Sequence, residues 1–321
     1  MTEDASRSPD EHPAGDPHDQ SPWFDVAGVP VEPTFAEAFD MKATRLVLTA
    51  HTREWARDAA AALVGFGTSV IACGIEIAIE RELQPSETPD GRPGLAILAF
   101  TVSGKELDKQ IPRRAGQCVL TCPTTALFAG IDGETRVPLG KSLRYFGDGF
   151  QISKLIDGRR YWRIPVMDGE FLCEADTGRV EAVGGGNFLL LGRTLDQVLD
   201  ACRAATEAIA PLADVITPFP GGATRSGSKV GSKYSGLFAS TNQAYCPSLR
   251  GLVDQPLSND VAAVVEIVID GLTPPRIAAA MRAGILAACD RVGPAGLVGI
   301  TAGNYGGKLG RHHFHLREVL A

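Results

Sequence analysis

Apolar runs of strand length alternate with helical patterns along most of the chain, and their order predicts the architecture. Strand-like runs recur at residues 95–102, 187–191 and 261–270. Between and after them, residues 194–210 and 274–289 carry apolar positions at helical spacing. We therefore predict an α+β protein in which helices cover a mainly antiparallel sheet.

Two segments of the chain follow the same order of elements. Residues 94–124 and 263–304 each contain an apolar strand, a short polar break, a helix and then a glycine-led apolar strand. Such self-similarity indicates an internal duplication. We predict two lobes, each an α/β sandwich with helices on one face of a sheet.

Local signals predict further elements. Thr34 and Glu37 have the spacing of a capping box, which predicts a helix start before the strand that ends near Ala50. Residues 116–121, 141–151 and 311–316 are predicted as strands.

Composition and charge narrow the class of protein. The chain has 321 residues and a net charge of −7, so we do not expect a general binder of nucleic acid or anionic membranes. No apolar run reaches the roughly 18 residues of a membrane span. Residues 1–22 are predicted to form a disordered acidic tail, because they lack large apolar side chains after Met1. The tail lacks a signal-peptide core, so a cytoplasmic location is expected.

The seven cysteines do not follow a metal-binding pattern. Only Cys118 and Cys122 are close in sequence, and no second close pair accompanies them. We expect reduced, mostly buried thiols and no metal site.

A polar, glycine-rich stretch at residues 217–247 is the strongest candidate for a binding site. It is too polar for a core element, and long structured loops inside domains are usually functional. The alternative interpretation is a loop that only packs the lobes together. The candidate substrate-binding residues of this loop are Gly221, Gly222, Ser226, Ser228, Lys229, Ser232, Lys233, Thr241 and Asn242.

The glycine-rich segments do not match nucleotide-binding motifs. In residues 222–229 (GATRSGSK), Ser228 separates the second glycine from the lysine, whereas a P-loop lysine follows that glycine directly. Residues 303–310 (GNYGGKLG) lack the serine or threonine that holds magnesium. Nucleotide hydrolysis is therefore not expected.

Glu266 is the single carboxylate within the apolar run at residues 261–269, and Asp270 follows directly after that run. A buried carboxylate is costly unless it is paired, hydrogen bonded or neutral. It could pair with an arginine at a contact between lobes or subunits. Alternatively, burial could raise its pKa, so that the neutral acid donates to an oxyanion or to a leaving amine. The pattern alone leaves both interpretations open.

Two further groups have structural interpretations that we prefer. His313 and His315 would share one face of a strand, but no third metal ligand is predicted nearby, so a surface or interface strand is favoured for residues 312–315. Cys246 lacks an identifiable histidine partner and is interpreted as a buried thiol.

Stretches spread over nearly the whole chain after the first two dozen residues resemble the formylmethanofuran:tetrahydromethanopterin formyltransferase family. They are TFAEAFDMKATR (34–45), GFGTSVI (65–71), ETPDGRPG (87–94), GQCVLTCPT (116–124), FGDGFQ (146–151), GGNFLLL (185–191), PFPGG (218–222), SGSKVGSKY (226–234), STNQAYCP (240–247), EIVIDGL (266–272) and AGNYGGKLG (302–310). The tail and the RHHF segment differ from the family, so no role is carried onto His312 or His313.

The resemblance implies two ferredoxin-like lobes, a proximal one at residues 23–164 and a distal one at residues 165–321. It implies an acyltransferase that moves a formyl group between the amine of methanofuran and N5 of tetrahydromethanopterin, through a tetrahedral intermediate. Tetrahydromethanopterin and methanofuran are then substrates, and no metal or prosthetic group is expected. Glu266 matches the family's catalytic glutamate, and Arg225, Lys229 or Lys233 would meet the acidic tail of methanofuran.

The modest charge favours the bacterial, methylotroph-type branch of this family. In that branch the resemblance implies one-carbon metabolism, formaldehyde oxidation and partners from a formyltransferase/hydrolase complex. A homo-oligomer, a dimer of dimers, is also implied. The alternatives are a non-catalytic structural subunit of such a complex and a generic carboxylate- or phosphate-binding module.

Overall fold

The computed structural model describes residues 23–321, so the predicted tail at residues 1–22 lies outside the described residues. The strands are β1 Phe24–Val26, β2 Val29–Val31, β3 Phe35–Thr49, β4 Thr68–Ser69, β5 Ile75–Leu83, β6 Gly94–Thr101, β7 Ala126–Ala129, β8 Thr135–Pro138, β9 Ile152–Ile156, β10 Arg159–Val166, β11 Gly169–Glu174, β12 Asp176–Gly192, β13 Val215–Ile216, β14 Ser228–Val230, β15 Ala239–Thr241, β16 Ala263–Gly271, β17 Leu297–Thr301 and β18 His312–His315. The helices are α1 Arg53–Val64, α2 Gly104–Arg114, α3 Gly140–Leu143, α4 Leu195–Ile209, α5 Pro274–Gly296 and α6 Leu316–Leu320.

The first lobe has the order of a ferredoxin-like sandwich. Along the chain it reads β3, α1, β5, β6, α2 and β7, and in the sheet the strands lie in the order β7–β3–β6–β5, all antiparallel. This βαββαβ arrangement leaves both helices on one face of the sheet. Strands β8 to β11 extend the lobe after β7.

The second lobe repeats the first. Its chain order is β12, α4, β13, β16, α5 and β17, and its sheet order is β17–β12–β16–β13, again antiparallel. The predicted duplication is therefore confirmed by the topology. The two lobes differ mainly between their second and third strands, where the second lobe inserts the long polar stretch between β13 and β16.

One continuous sheet joins the lobes. The first strand of each lobe pairs with the other, since β3 and β12 run antiparallel with Ala43 opposite Val180 and Phe39 opposite Gly184. Arg45 forms a bidentate ion pair with Glu80 inside the first lobe, at 2.6 and 2.7 Å, and the same guanidinium crosses the junction to donate to Asp214 at 2.6 Å. The two lobes are therefore joined both by strand pairing and by an ion pair.

Two main hydrophobic cores lie on the helix faces of this sheet. One contains side chains from α1, α2 and the first-lobe strands, including Leu46, Leu63 and Leu107. The other contains side chains from α4, α5 and the second-lobe strands, and β2 and the start of β3 contribute Val29 and Ala36 to it. Residues from the beginning of the chain thus complete the core of the C-terminal lobe.

Side-chain caps fix where three of the helices begin. Thr52 accepts a hydrogen bond from the backbone N–H of Trp55 at α1, Ser103 from that of Glu106 at α2, and Thr194 from that of Gln197 at α4. Each cap satisfies a helix N–H that lacks an intrahelical partner, so these three residues define where the helices begin.

Other predicted elements are wrong. Thr34 and Glu37 do not start a helix, because Phe35–Thr49 is one long strand whose central position in the sheet outweighs the local capping signal. Residues 116–121 are not a strand, because α2 continues into a π-helical turn at Ala115–Val119. Residues 141–151 form short helical turns at Gly140–Leu143 and Arg144–Gly147 instead of a strand.

Candidate active site

A cavity of about 650 Å³ opens where the long insertion of the second lobe faces the first lobe. Its walls come from β16, from the middle of β12, from the insertion at residues 224–246 and from the glycine-rich loop at residues 303–311. The first lobe contributes residues 69–71, Glu76 and Val102, together with side chains from β3. A cavity at such a junction, with polar groups from several elements, is where a small-molecule site is expected.

The insertion is an ordered structure built on a short hairpin. Strands β14 and β15 pair with Ser228 opposite Thr241, and the N–H of Asn242 donates to the carbonyl of Gly227 at 2.9 Å. Lys229 donates to the side chain of Gln243, which joins the hairpin to the next turn. These bonds hold the polar side chains of the insertion over the cavity.

Glu266 lies in the middle of β16 on the cavity wall, with its backbone paired on both sides. Leu189 of β12 is opposite it, and Thr224 of the insertion forms an antiparallel bridge with it on the other edge. Gly227 passes directly over its carboxyl group, where an added Cβ would lie 3.1 Å from Oε2. A side chain at Gly227 would therefore cover the acid.

Burial raises the pKa of Glu266 from 4.5 to about 7. No hydrogen bond or ion pair to its carboxyl group is found within residues 23–321, so the arginine-paired interpretation is not supported there. An acid with a pKa near 7 exists in both forms at neutral pH and can give and take a proton at little cost.

Two tyrosines near Glu266 were missed by the sequence reasoning. Tyr245 and Tyr305 both line the cavity. Burial raises the pKa of Tyr305, and the charges of Glu266 and Glu37 raise it further, while a contact with Ser228 lowers it. Burial also raises the pKa of Tyr245, so both hydroxyl groups are neutral donors at neutral pH. Each tyrosine lies in a stretch that carries the family resemblance, Tyr245 in STNQAYCP and Tyr305 in AGNYGGKLG. Both could have been identified as candidate donors from these motifs, because they are polar aromatic residues within them.

The glycine-rich loop is wrapped around the carboxylate of Glu37. The N–H groups of Tyr305 and Gly307 donate to Oε2 at 2.7 and 2.8 Å, and those of Leu309 and Gly310 donate to Oε1, each at 2.6 Å. Burial opposes the charge of Glu37, but these four N–H groups lower its pKa below the ordinary value. The backbone N–H groups of the loop therefore bind an anion, and this anion is the protein's own Glu37 carboxylate.

Asn187 fastens the same loop to the second lobe. Its side-chain oxygen accepts from the N–H of Gly303 at 2.6 Å, and its amide nitrogen donates to the carbonyls of Gly303 and Gly185 at 3.1 and 3.0 Å. Tyr305 therefore reaches the cavity from a loop that is fixed at both ends.

The structure brings six of the predicted site residues together around the cavity. They are Glu266, Ser226, Ser228, Lys229, Thr241 and Asn242. Arg225 also lines it and is exposed. No carboxylate within residues 23–321 forms an ion pair with Arg225 or Lys229, so both cations are available to an anionic ligand.

The other predicted residues lie outside the cavity wall. Lys233 is exposed beyond β14, and Ser232 caps its own turn by accepting from the N–H of Tyr234 at 3.0 Å. Gly221 and Gly222 both have left-handed φ values, 67° and 81°. A Cβ at Gly222 would lie 2.6 Å from Thr206, so this glycine lets the insertion pack onto α4.

The remaining candidates have structural environments. His312 bonds Asp40 at 2.8 Å, and the ring of His313 packs on Phe35. Across residues 23–321, no group of three or more His, Cys, Asp and Glu side chains is arranged to hold a metal ion. Cys246 is half-buried and contacts Thr241 at 3.4 Å. None of the helices in this part of the chain is long and apolar enough to cross a membrane.

Family models match both lobes. The model described as formylmethanofuran-tetrahydromethanopterin formyltransferase matches residues 24–166. A second, described as the proximal lobe of the same protein, matches residues 169–319. The name proximal therefore belongs to the C-terminal part, whereas we expected it for residues 23–164. The expected boundary between residues 164 and 165 stays a prediction.

Similar proteins cover nearly the whole described chain. A formylmethanofuran–tetrahydromethanopterin formyltransferase of Rhodopirellula baltica is 63% identical over 310 residues, which covers 92% of this chain and 93% of that protein. A component of the formyltransferase/hydrolase complex of Methylorubrum extorquens is 52% identical over 303 residues, which covers 92% of this chain and 97% of that protein.

Two solved structures share the fold. One is the formyltransferase/hydrolase complex of Methylorubrum extorquens with methylofuran, in which a chain matches with a TM-score of 0.90, 52% identity and coverage of 93% of this chain and 99% of that one. The other is the formyltransferase of Methanosarcina barkeri, with a TM-score of 0.87, 45% identity and coverage of 92% and 100%.

Proposed function

The chain belongs to the formylmethanofuran–tetrahydromethanopterin formyltransferase family and is a formyltransferase of that type, and on this premise we propose that Glu266 is its catalytic acid. The observation that carries the proposal is a carboxyl group with a pKa of about 7, on the wall of the cavity between the lobes. Formyl transfer between two nitrogens needs one proton to be delivered and one to be removed.

The reaction requires a donor at two moments. When N5 of the pterin attacks the formyl carbon of formylmethanofuran, the carbonyl oxygen becomes an oxyanion, and a preorganised donor stabilises it. When the carbon–nitrogen bond to methanofuran breaks, the leaving nitrogen takes up a proton, and N5 loses one. Neutral Glu266 can donate in both steps, and its carboxylate can recover the proton from N5.

Nearby side chains are suited to assist this acid. Tyr305, Ser228 and Asn242 line the same cavity and can donate to the oxyanion or orient the formyl group. Arg225 and Lys229 place two cations on the insertion side, which fits the acidic tail of methanofuran. Lys233, outside the wall, could reach only a tail that extends beyond the cavity. Holding both substrates in register supplies much of the rate gain.

Replacing the acid by its amide tests this role. We expect Glu266→Gln to fold normally and to lose turnover by about 100-fold or more, because general acid catalysis contributes 10²–10⁴-fold. The measurement is the steady-state rate with formylmethanofuran and tetrahydromethanopterin. Glu82→Gln on β5, which removes an exposed ion pair with Arg57, is the matched control. Full activity of Glu266→Gln would reject the acid role.

The wild-type rate separates this function from the structural alternative. A non-catalytic subunit would show no turnover alone, and Glu266→Gln would then behave like wild type in every assay. A generic anion-binding module would bind phosphate tightly and show no affinity for the pterin. Formyl transfer by the purified chain contradicts both alternatives.

The assembly and location of the chain are part of the proposal. A 52% identical relative is a component of a formyltransferase/hydrolase complex, which supports a similar complex for this chain, with a dimer of dimers at its centre. The modest negative net charge fits an ordinary cytoplasm and the bacterial, methylotroph-type branch of the family, for which we propose a role in formaldehyde oxidation. Mass measurement of the purified chain, alone and co-expressed with such partner proteins, tests the assembly. A monomer in both samples would contradict it.

A further inference from the structure

Most of the negative charge of the chain is concentrated at its N-terminal end. Residues 1–22, which we call the acidic segment, carry six carboxyl side chains and one arginine, a net charge of −5 out of the −7 of the whole chain. The family models match residues 24–166 and 169–319, so the acidic segment is an addition to the shared fold. Acidic terminal segments of this composition are often interaction segments.

The mouth of the cavity carries four cations, which we call the basic rim. They are Arg225 and Lys229 on the insertion and Lys308 and Arg311 on the glycine-rich loop. Arg311 pairs with Asp40 at 3.1 Å, while none of the other three forms an ion pair with a described carboxylate. Asp40 is the one exposed carboxylate among the described residues that line the cavity. The basic rim therefore keeps a net positive charge that can attract an anionic segment.

The acidic segment joins the fold on the same face of the sheet as the cavity. The ring of Trp23 packs over Gly299 of β17, where an added Cβ would lie 2.6 Å from that ring. Ile300, the next residue, belongs to the core on the helix side, so Gly299 and Thr301 face the opposite side of the sheet. On that side Thr301 contacts Tyr245, which lines the cavity. The acidic segment is therefore attached on the cavity side.

The strand register gives the distance from this attachment to the cavity. One row of paired residues crosses the sheet from β1 through β2, β17 and β12 to β16, and it consists of Phe24, Val31, Ile300, Leu190 and Val265. Four strand spacings of about 4.8 Å place Phe24 roughly 19 Å from Val265, the neighbour of Glu266. Asp16 is seven residues before Trp23, and seven extended residues span at most roughly 25 Å. Carboxylates from Asp16 towards the start of the chain can therefore reach the mouth of the cavity.

We propose that the acidic segment occupies the basic rim as a tethered ligand and competes there with the acidic part of methanofuran. A tether of this length holds its charges at an effective concentration in the millimolar range, so contacts too weak to hold a free peptide are populated. Each contact between a carboxylate and a cation is exposed to water and weak, so occupancy falls as salt is added. The competition rests on the proposed function, because formylmethanofuran is then the substrate, whereas the contact itself does not.

Zero-length cross-linking of the full-length protein with a carbodiimide tests the contact directly, since it joins a carboxylate to a lysine amine only where the two groups touch. At low salt we expect cross-linked peptides that join residues 1–22 to Lys229 or Lys308, and their loss at about 0.5 M salt. Lys154 is the matched control, because it is exposed on β9, at the opposite end of the strand order from β1. No cross-link to the basic rim, or equal cross-linking to Lys154, would overturn the proposal.

A full-length variant with a neutral segment tests the competition without changing any described residue. It replaces the six carboxylates by amides, as Glu3→Gln, Asp4→Asn, Asp10→Asn, Glu11→Gln, Asp16→Asn and Asp19→Asn. At low salt we expect KM for formylmethanofuran to fall roughly 2- to 5-fold, because a tethered competitor is removed, and kcat to stay the same. The difference should vanish at about 0.5 M salt. An unchanged KM at low salt, or a decrease that persists at high salt, would overturn the competition.

The proposed acid role fails by a different observation. The cross-links form without substrates, so they do not depend on any assignment in the catalytic reaction. If Glu266→Gln keeps full turnover while the acidic segment cross-links to the basic rim, the contact stands and the acid assignment does not. If Glu266→Gln is inactive and the acidic segment neither cross-links nor affects KM, the acid assignment stands and the tethered ligand does not.

Discussion

Thr224 and Glu266 exchange both backbone hydrogen bonds, at 2.8 and 2.9 Å. This bridge attaches the inserted loop of the second lobe to the strand that carries Glu266, the proposed catalytic acid. The polar side chains that follow Thr224 therefore have a fixed register relative to the acid. A fixed register orders the reacting groups in advance, so no entropic cost of ordering them remains at the reaction step.

The activity should depend on pH through Glu266. In the proposed mechanism, transfer from formylmethanofuran uses the neutral acid, so kcat/KM in this direction should fall above pH 7, by up to tenfold per pH unit. The low residual rate of Glu266→Gln should lack this decrease. A rate profile from pH 5 to pH 9 on both proteins makes the comparison. An identical decrease in the variant would assign the titration to another group.

The free energy of unfolding should also depend on pH through the titration of Glu266. The folded pKa of about 7 exceeds the ordinary 4.5, so below pH 4.5 both states are protonated and the group contributes no penalty. Above pH 7 the buried charge costs up to about 3 kcal/mol, less where cavity water screens it.

Glu266→Gln carries no such charge, and it should gain stability relative to wild type between pH 5 and pH 8. Urea unfolding of both proteins at several pH values measures the difference, in which all other titrating groups cancel. A difference that stays constant with pH would mean that the carboxyl group is not desolvated.

Removing the charge of Glu37 should loosen the glycine-rich loop. In Glu37→Gln one oxygen is replaced by an NH₂ group that faces N–H donors, which should destabilise the fold by about 2–4 kcal/mol. Turnover should fall as well, because Tyr305 is carried by this loop. Urea unfolding and proteolysis at residues 303–310 are the measurements.

The exposed Glu181→Gln, which only breaks a surface pair with Lys42, is the control for Glu37→Gln. The pKa of Glu37 is lowered, so its contribution to stability is present above the ordinary value and disappears as the pH falls through the folded one. A Glu37→Gln protein as stable as the control would contradict the internal-anion interpretation.

Gly221 and Gly222 should differ in their tolerance of alanine. Both have positive φ, which alone costs about 1–2 kcal/mol for an alanine. Open space surrounds a Cβ at Gly221, whereas at Gly222 it would meet Thr206 at 2.6 Å. We expect Gly222→Ala to be destabilised by about 1–3 kcal/mol more than Gly221→Ala. Equal unfolding midpoints for the two variants would show that α4 moves to make room.

The duplicated architecture could be predicted because each lobe carries its own local signals. Strands β6 and β16 and the helices that follow them have strong apolar periodicity, and the threonine and serine caps mark helix starts. The same reasoning identified Glu266, since one carboxylate in an apolar strand is conspicuous without any knowledge of its neighbours.

The contacts of Glu37 could not be predicted in the same way. Glu37 binds N–H groups more than 260 positions later in the chain, and its spacing from Thr34 gives a false capping signal. Thr34 itself accepts from Asn304 at 3.2 Å.

The contribution of β2 and the start of β3 to the C-terminal core limits how the chain can be divided. Cutting between residues 166 and 169 would separate the halves by sequence, but it would remove Val29, Val31 and Ala36 from the hydrophobic cluster that they complete. It would also expose the edge of β12 that pairs with β3. The C-terminal half made alone should be prone to aggregation, and co-expression with the missing N-terminal half should rescue its solubility.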